Sequence, residues 1–424
     1  MTRDTDEHED PYKIDISLNN DEDNKRKRFF EKGLNALLTD PYFLLLYVPD
    51  NGAKMQIIRP ATNLYHRKRM IKMINEARRV PSFYYALSHL WGISENNRHH
   101  WNDISEYVYD DEGKPVKPVS MRPEKRDALL QLLKDHPDSY WWIDVLCART
   151  DTPLDIMGDV YACCIECIAM IDCEASLIPK LHTKMGAKED FADFWFNENR
   201  SPNEVLQFKQ LNEEYPQLID DLGTFFQSQW WQRVWTWQEM ALPSEEVRFM
   251  SEGDIHRGSK NTIILKDLLN SCMNATRVMY YLFEEYDPGR ESKEERNLLR
   301  WFFDINQART FNEHHTIEKK AEKFMLLILS FSQSTRHCMD PVDYVYGLLG
   351  IFQVKIPRLS DPNEVWNIFL SEIDKYMEDI KNVEFPLVDS ETARITGVTD
   401  RACQVDLRNA KNMADVYDDF LELV

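Results

Sequence analysis

Tyr140-Trp-Trp-Ile-Asp-Val-Leu-Cys147 is a short apolar and aromatic run, and it reads as a buried strand. Upstream, Phe83-Tyr-Tyr-Ala-Leu-Ser88 follows Pro81-Ser82 and runs into the His-Leu-Trp-Gly turn at 89–92, which makes it a second strand ending in a loop. Downstream, Cys167-Ile-Ala-Met-Ile-Asp172 reads as a third. Between these, Arg122 to Lys134 carries Ala128, Leu129, Leu132 and Leu133 at helical spacing, and Asp155 to about Cys164 reads as another helix. Strands alternating with helices at this spacing imply right-handed crossovers and a mostly parallel α/β sheet with helices on both faces.

Outward from that core the chain changes character. Residues 1–28 are charged and read as a disordered acidic tail. Within it, Asn24-Lys-Arg-Lys-Arg28 is open to two readings, an import signal or a basic patch at a helix start. Residues 29–258 form the expected α/β domain, with polar insertions near 93–120 and 180–215. The Trp-rich segment Gln229-Trp-Trp-Gln-Arg-Val-Trp-Thr-Trp-Gln-Glu239 follows. From 259 to 424 an all-helical region is expected, because Ile264–Glu285, Glu294–Ala308, Ile317–Gln333, Pro341–Phe352 and Asn363–Asp379 carry helical apolar spacing.

Composition bounds the function. A chain of 424 residues, 43% hydrophobic and 29% charged, can bury a core and suits two domains. Its 51 basic and 72 acidic residues give a net charge of −21, which argues against nucleic acid as a partner. No apolar run reaches about 18 residues, so no membrane-spanning helix is expected, and the acidic N-terminus lacks the features of a signal peptide. The 8 Cys are not spaced as a disulfide frame, which fits a reducing, cytoplasmic compartment. Cys163, Cys164, Cys167 and Cys173 invite a zinc reading, but no second Cys-x-x-Cys pair follows, and no metal is expected. No G-x-x-x-x-G-K-[ST] loop is present.

Separated segments coincide with one pattern. Tyr85-Ala-Leu-Ser-His-Leu-Trp-Gly92, Trp142-Ile-Asp-Val-Leu-Cys147, Met157-Gly-Asp-Val-Tyr-Ala162 and Arg233-Val-Trp-Thr-Trp-Gln-Glu239 resemble, in order and spacing, the motifs of the fungal HET (heterokaryon incompatibility) domain. Asp340-Pro-Val-Asp-Tyr-Val-Tyr-Gly-Leu-Leu-Gly350 is similar to a segment often found downstream of it. His89 stands where the family usually has Tyr, and Ala148-Arg149-Thr150 replaces its I-x-Q. The HET domain in turn resembles the Toll/interleukin-1 receptor (TIR) domain, of flavodoxin-like fold. In this chain Ser88, Trp142-Ile-Asp144 and Trp235-Thr-Trp-Gln-Glu239 are similar to its strand ends and its W-x-x-x-E.

That resemblance implies a TIR-like NAD⁺ glycohydrolase acting in self/non-self or immune-type cell death, with Glu239 as catalytic carboxylate and no cofactor besides NAD⁺ as substrate. Ser88, His89, Trp91, Asp144, Cys147, Arg233 and Trp235 would bind the substrate. Cleaving the nicotinamide–ribose bond passes through an oxocarbenium-like cation, which a desolvated carboxylate stabilises. Other readings stay open. Glu239 can be a structural carboxylate paired with Arg233, Asp144 a cap for the following loop, and Ser88 a loop hydrogen-bonder. The chain as a whole can instead be a non-catalytic module that assembles with itself or with a signalling partner.

Overall fold

The computed structural model describes residues 12–16, 21–92, 99–186, 217–254, 261–270, 301, 304–311, 317–378, 380, 384–386, 392–394, 397–418 and 420. The chain divides into two compact units, Met1–Ile168 with Pro243–Glu246, and Ala169–Leu242 with Val247–Val424.

In chain order the first unit holds α1 (Asp21–Thr39), β1 (Leu45–Val48), β2 (Met55–Ile58), α2 (Leu64–Glu76), β3 (Tyr84–His89), β4 (Val108–Tyr109), α3 (Pro123–Asp135), β5 (Ser139–Ile143), α4 (Asp144–Cys147), α5 (Ile156–Ala162) and the start of β6 (Cys167–Ile171). β3 lies between β5 and β6. It pairs parallel with β5, Tyr84 opposite Tyr140 and Leu87 opposite Ile143. On its other side the Ile165 N–H donates to Tyr84 O (2.7 Å) and the Ala86 N–H to Glu166 O (3.0 Å). Residue numbers rise together on both chains there, so this pairing is parallel as well. All five side chains of β5 and of β6 are buried, as expected of strands covered on both faces.

The second strand is shorter than its apolar run, for β5 stops at Ile143 and residues 144–147 turn into α4. Asp144 causes the turn. Its Oδ1 accepts the Val145 N–H at 2.6 Å while its carbonyl accepts the Ala148 N–H at 2.8 Å.

Three features of this unit depart from the sequence reading. The helix α1 starts at Asp21, inside the expected 1–28 tail, because Phe30, Leu34, Leu37 and Leu38 give it a buried face. β1 and β2 form an antiparallel hairpin that joins β5 through β1. The stretch 99–120 is not all exposed: Trp101, Ile104 and Val108 are buried, and β4 pairs with β2.

The second unit continues β6, then holds α6 (Leu177–Gly186), helical residues 217–226, a 3-10 turn at Gln229–Gln232, α7 (Thr236–Ala241), β7 (Val247–Ser251) and the antiparallel β8 (Thr262–Ile264). Asp172 fixes the 3-10 turn by accepting the Gln229 and Trp230 N–H groups at 3.0 Å each. Trp230 and Trp231 are buried against Phe225 and Phe249. Beyond β8 the described elements are chiefly helical: α8 (Ile317–Ser332), α9 (Asp343–Tyr346), α10 (Leu349–Phe352), α11 (Pro362–Met377) and α12 (Ala414–Tyr417). The expected all-helical region from 259 is corrected by β8 and by an antiparallel two-strand ribbon at 384–386 and 392–394, and the helices expected over 271–300 lie outside the described residues. The 180–215 insertion, apart from the end of a helix at Leu177–Gly186, lies outside the described residues. Among the described residues no helix is long and apolar enough to cross a membrane.

Candidate functional site

In the first unit, polar side chains gather where β3 and β5 end. His89 is buried, with Nε2 2.9 Å from Asp144 Oδ1. Its Nδ1 lies 2.8 Å from Leu90 O and 3.2 Å from the amine of Lys125. Lys125 is fully buried on α3 and also donates to Leu90 O. Burial, and then the Lys125 charge, hold the His89 imidazole below its usual range, against the pull of Asp144. Asp144 Oδ2 accepts the Trp91 indole N–H. Lysine, imidazole and carboxylate thus lie in a chain that ends on Trp91, a residue 42% exposed. A stacking face for a planar ligand ring needs that exposure.

The other named residues of this unit have defined places. Ser88 is buried at the end of β3. Gly92 closes the turn, and a side chain there would meet backbone: a Cβ would lie 2.4 Å from His99 O and 2.6 Å from Met121 N. Cys147 faces inward, where its thiol accepts the Ile143 N–H (3.5 Å) and donates to Trp141 O (3.7 Å). Burial pushes that thiol up to about 12, so it is a poor nucleophile. Arg149, in the run that departs from the I-x-Q pattern, ion-pairs with Asp111, which also pairs with Arg59 at 2.7 Å.

The second unit carries Arg233, Trp235 and Glu239. Every residue of α7 is buried, and Glu239 is 5% exposed. The Trp235 side chain hydrogen-bonds the Asp343 carboxylate. Burial raises Asp343 to about 6, while Arg233 and Arg358 pull it down and Asp340 pushes it up. Arg336, fully buried, attracts both Asp304 and Glu239, although burial still lowers its guanidinium to about 9. Its Nη1 donates to Arg233 O (2.9 Å) and to Thr236 Oγ1, and its guanidinium stands 4.6 Å over the Trp237 ring.

Residues 84–239 match the family model described as Heterokaryon incompatibility protein (HET). This segment is a HET domain. The match runs from the first residue of β3 to Glu239 on α7. Neither the curated proteins nor the solved structures yielded a match. The HET domain draws on both units: Ser88, His89, Trp91, Asp144 and Cys147 belong to the first, and Arg233, Trp235 and Glu239 to the second.

Lys125, Arg336 and Asp343 had no assigned part in the sequence reading. Lys125 was findable, since it precedes Ala128, Leu129, Leu132 and Leu133 on the same buried stripe. Asp343 sits within the downstream D-P-x-D segment, whereas Arg336 carries no local pattern. Among the described residues no group of three or more His, Cys, Asp or Glu is arranged to hold a metal. Cys163, Cys164 and Cys167 are buried, and the Cys164 thiol donates to Tyr161 O at 3.1 Å.

Proposed function

We propose that this chain acts in heterokaryon incompatibility, the self/non-self response that ends in cell death, and that it does so as a TIR-like NAD⁺ glycohydrolase. The HET domain supports the first part. The second rests on one observation: Glu239 closes that domain on a wholly buried helix, within Coulombic reach of the buried Arg336 guanidinium that stands over Trp237. A carboxylate withdrawn from water in this way stabilises positive charge more strongly than a hydrated one. In the proposed reaction the C1′–nitrogen bond breaks and its electron pair leaves on nicotinamide. Water then adds to the ribosyl cation and gives up a proton, leaving ADP-ribose. The leaving group departs without being protonated, so one carboxylate suffices.

The test is nicotinamide release from NAD⁺ by wild type and by Glu239→Gln, with the melting temperature measured in parallel. Loss of about 3 kcal/mol of transition-state stabilisation lowers the rate about a hundredfold while the fold holds. A second reading, an assembly module without turnover, is favoured by the 5% exposure of Glu239 and its attraction to Arg336, features a structural carboxylate shares. No turnover in wild type selects that second reading, whereas equal turnover in the variant, or collapse of its fold, returns Glu239 to a structural role.

A further inference from the structure

Arg336 follows the HET domain in sequence, yet it is built into the helix that ends that domain. Its Nη1 donates to Arg233 O and to the Thr236 hydroxyl, at the first turn of α7. Trp237, Trp301 and Trp231 surround the guanidinium at 4.6, 5.3 and 6.0 Å. Its main chain is held too, with Arg336 O accepting the Met413 N–H at 2.8 Å. The carboxylates whose charge reaches it are Asp304, on helical residues 304–310, and Glu239, one turn beyond Thr236. A guanidinium with no exposed surface survives in a fold only where such partners offset its lost hydration. Among the described residues its Nε and Nη2 groups make no hydrogen bond, so much of that offset is Coulombic.

We propose that Arg336 is the positioning residue of Glu239: it clamps the first turn of the helix that carries the carboxylate and sets a fixed positive charge within Coulombic reach of it. The catalytic sense of this rests on the glycohydrolase reading above. The charges are consistent with it. One guanidinium against two carboxylates leaves a formal charge of −1, so the cluster still favours a developing ribosyl cation. With Arg336 in place, Glu239 is held both in direction and in charge state.

The experiment uses the full-length chain and the variants Arg336→Met, Arg336→Lys, Glu239→Gln and Arg336→Met/Glu239→Gln. Denaturation midpoints close a double-mutant cycle. The expected result is that Arg336→Met lowers the midpoint sharply, and that adding Glu239→Gln restores part of it, because the second change removes a carboxylate left without its cation. Nicotinamide release across pH supplies the second readout. Without the cation the acid limb of kcat/KM should move up by about one pH unit or more, whereas Arg336→Lys, which keeps the charge, should hold the limb near its wild-type position.

Additive midpoints, or an unmoved acid limb in Arg336→Met, overturn the proposal. If Arg336→Met does not fold, the double variant and Arg336→Lys carry the test. A double variant that folds no better, or an acid limb in Arg336→Lys displaced by one unit or more, then counts against it. If wild type releases no nicotinamide, the glycohydrolase reading fails first. The midpoints still report whether Arg336 and Glu239 are coupled, and coupling without turnover returns Arg336 to a structural role.

Discussion

The Trp235 side chain hydrogen-bonds the carboxylate of Asp343, which joins the closing motif of the HET domain to the Asp340-Pro-Val-Asp343 segment downstream. The same contact zone is pinned by backbone. Val234 N–H donates to His337 O (3.2 Å), and the His337 N–H donates to Gln232 O (2.8 Å). These bonds lie within the second unit and give the downstream segment a physical reason to accompany the motif.

Asp343 should make the protein less stable as pH rises. Its carboxyl is raised from 3.8 to about 6, by burial first, with Asp340 adding to the rise and Trp235, Arg233 and Arg358 opposing it. Below the unfolded value both states hold the proton and the contribution is fully present. As pH rises towards 6 the unfolded chain ionises first, and about 3 kcal/mol is lost. Asp343→Asn should remove this slope, so the gap between variant and wild-type stability should change by about that amount from pH 4 to pH 7. A constant gap across that range would mean that Asp343 titrates normally.

Gly92→Ala should be costly, although glycine here has no positive φ to explain it. The added Cβ would press on the backbone of His99 and Met121, where no rotamer change gives relief. Destabilisation of about 2 kcal/mol or more is expected, read from urea midpoints. An unchanged midpoint would show that the turn can open without loss.

Lys125→Met tests the buried chain behind Trp91. Burial is the main cause of the low His89 value and Lys125 the second, so removing the ammonium should raise the imidazole towards its ordinary 6.5, as followed by NMR. A depressed histidine contributes stability above its unfolded value and loses it as pH falls through the folded one. The variant should therefore lose less stability on acidification, while giving up about 1–3 kcal/mol at neutral pH because Leu90 O loses a buried donor. A His89 titration that does not move would contradict the arrangement.

Thiol labelling separates Cys147 from a reactive role. The Cys147 thiol is buried and pushed up to about 12, while Cys403 is exposed. Iodoacetamide at pH 8 should modify Cys403 in the native protein and reach Cys147 only in denaturant, as mass spectrometry would show. Early modification of Cys147 would mean that the end of β5 opens.

The parallel strands were legible because buried strands advertise themselves as short apolar runs, and Tyr84–His89, Ser139–Ile143 and Cys167–Ile171 follow that rule. The hairpin of β1 and β2 was legible in principle. Asn51-Gly52 stands between apolar runs, and Gly52 takes a φ of 72° in the turn. The part played by Arg336 was not legible. A buried cation is selected by carboxylates and rings distant in sequence, and neither period nor spacing records them. Lys125 falls between these cases: its helical stripe marks the buried face, while nothing local names His89 as its neighbour.

The path of the chain bears on synthesis. Residues up to Ile168 form most of the first unit, but Pro243–Glu246 also belongs to it. Glu246 O accepts the Cys167 N–H at 3.0 Å, and Glu245 ion-pairs with Arg26. A nascent chain emerging from the ribosome therefore cannot finish its first unit from its first 168 residues alone. The bond from Cys167 to Glu246 waits until the intervening 169–242 has been translated and the returning segment arrives. During that interval the start of β6 is the point most open to chaperones or to mispairing with another copy.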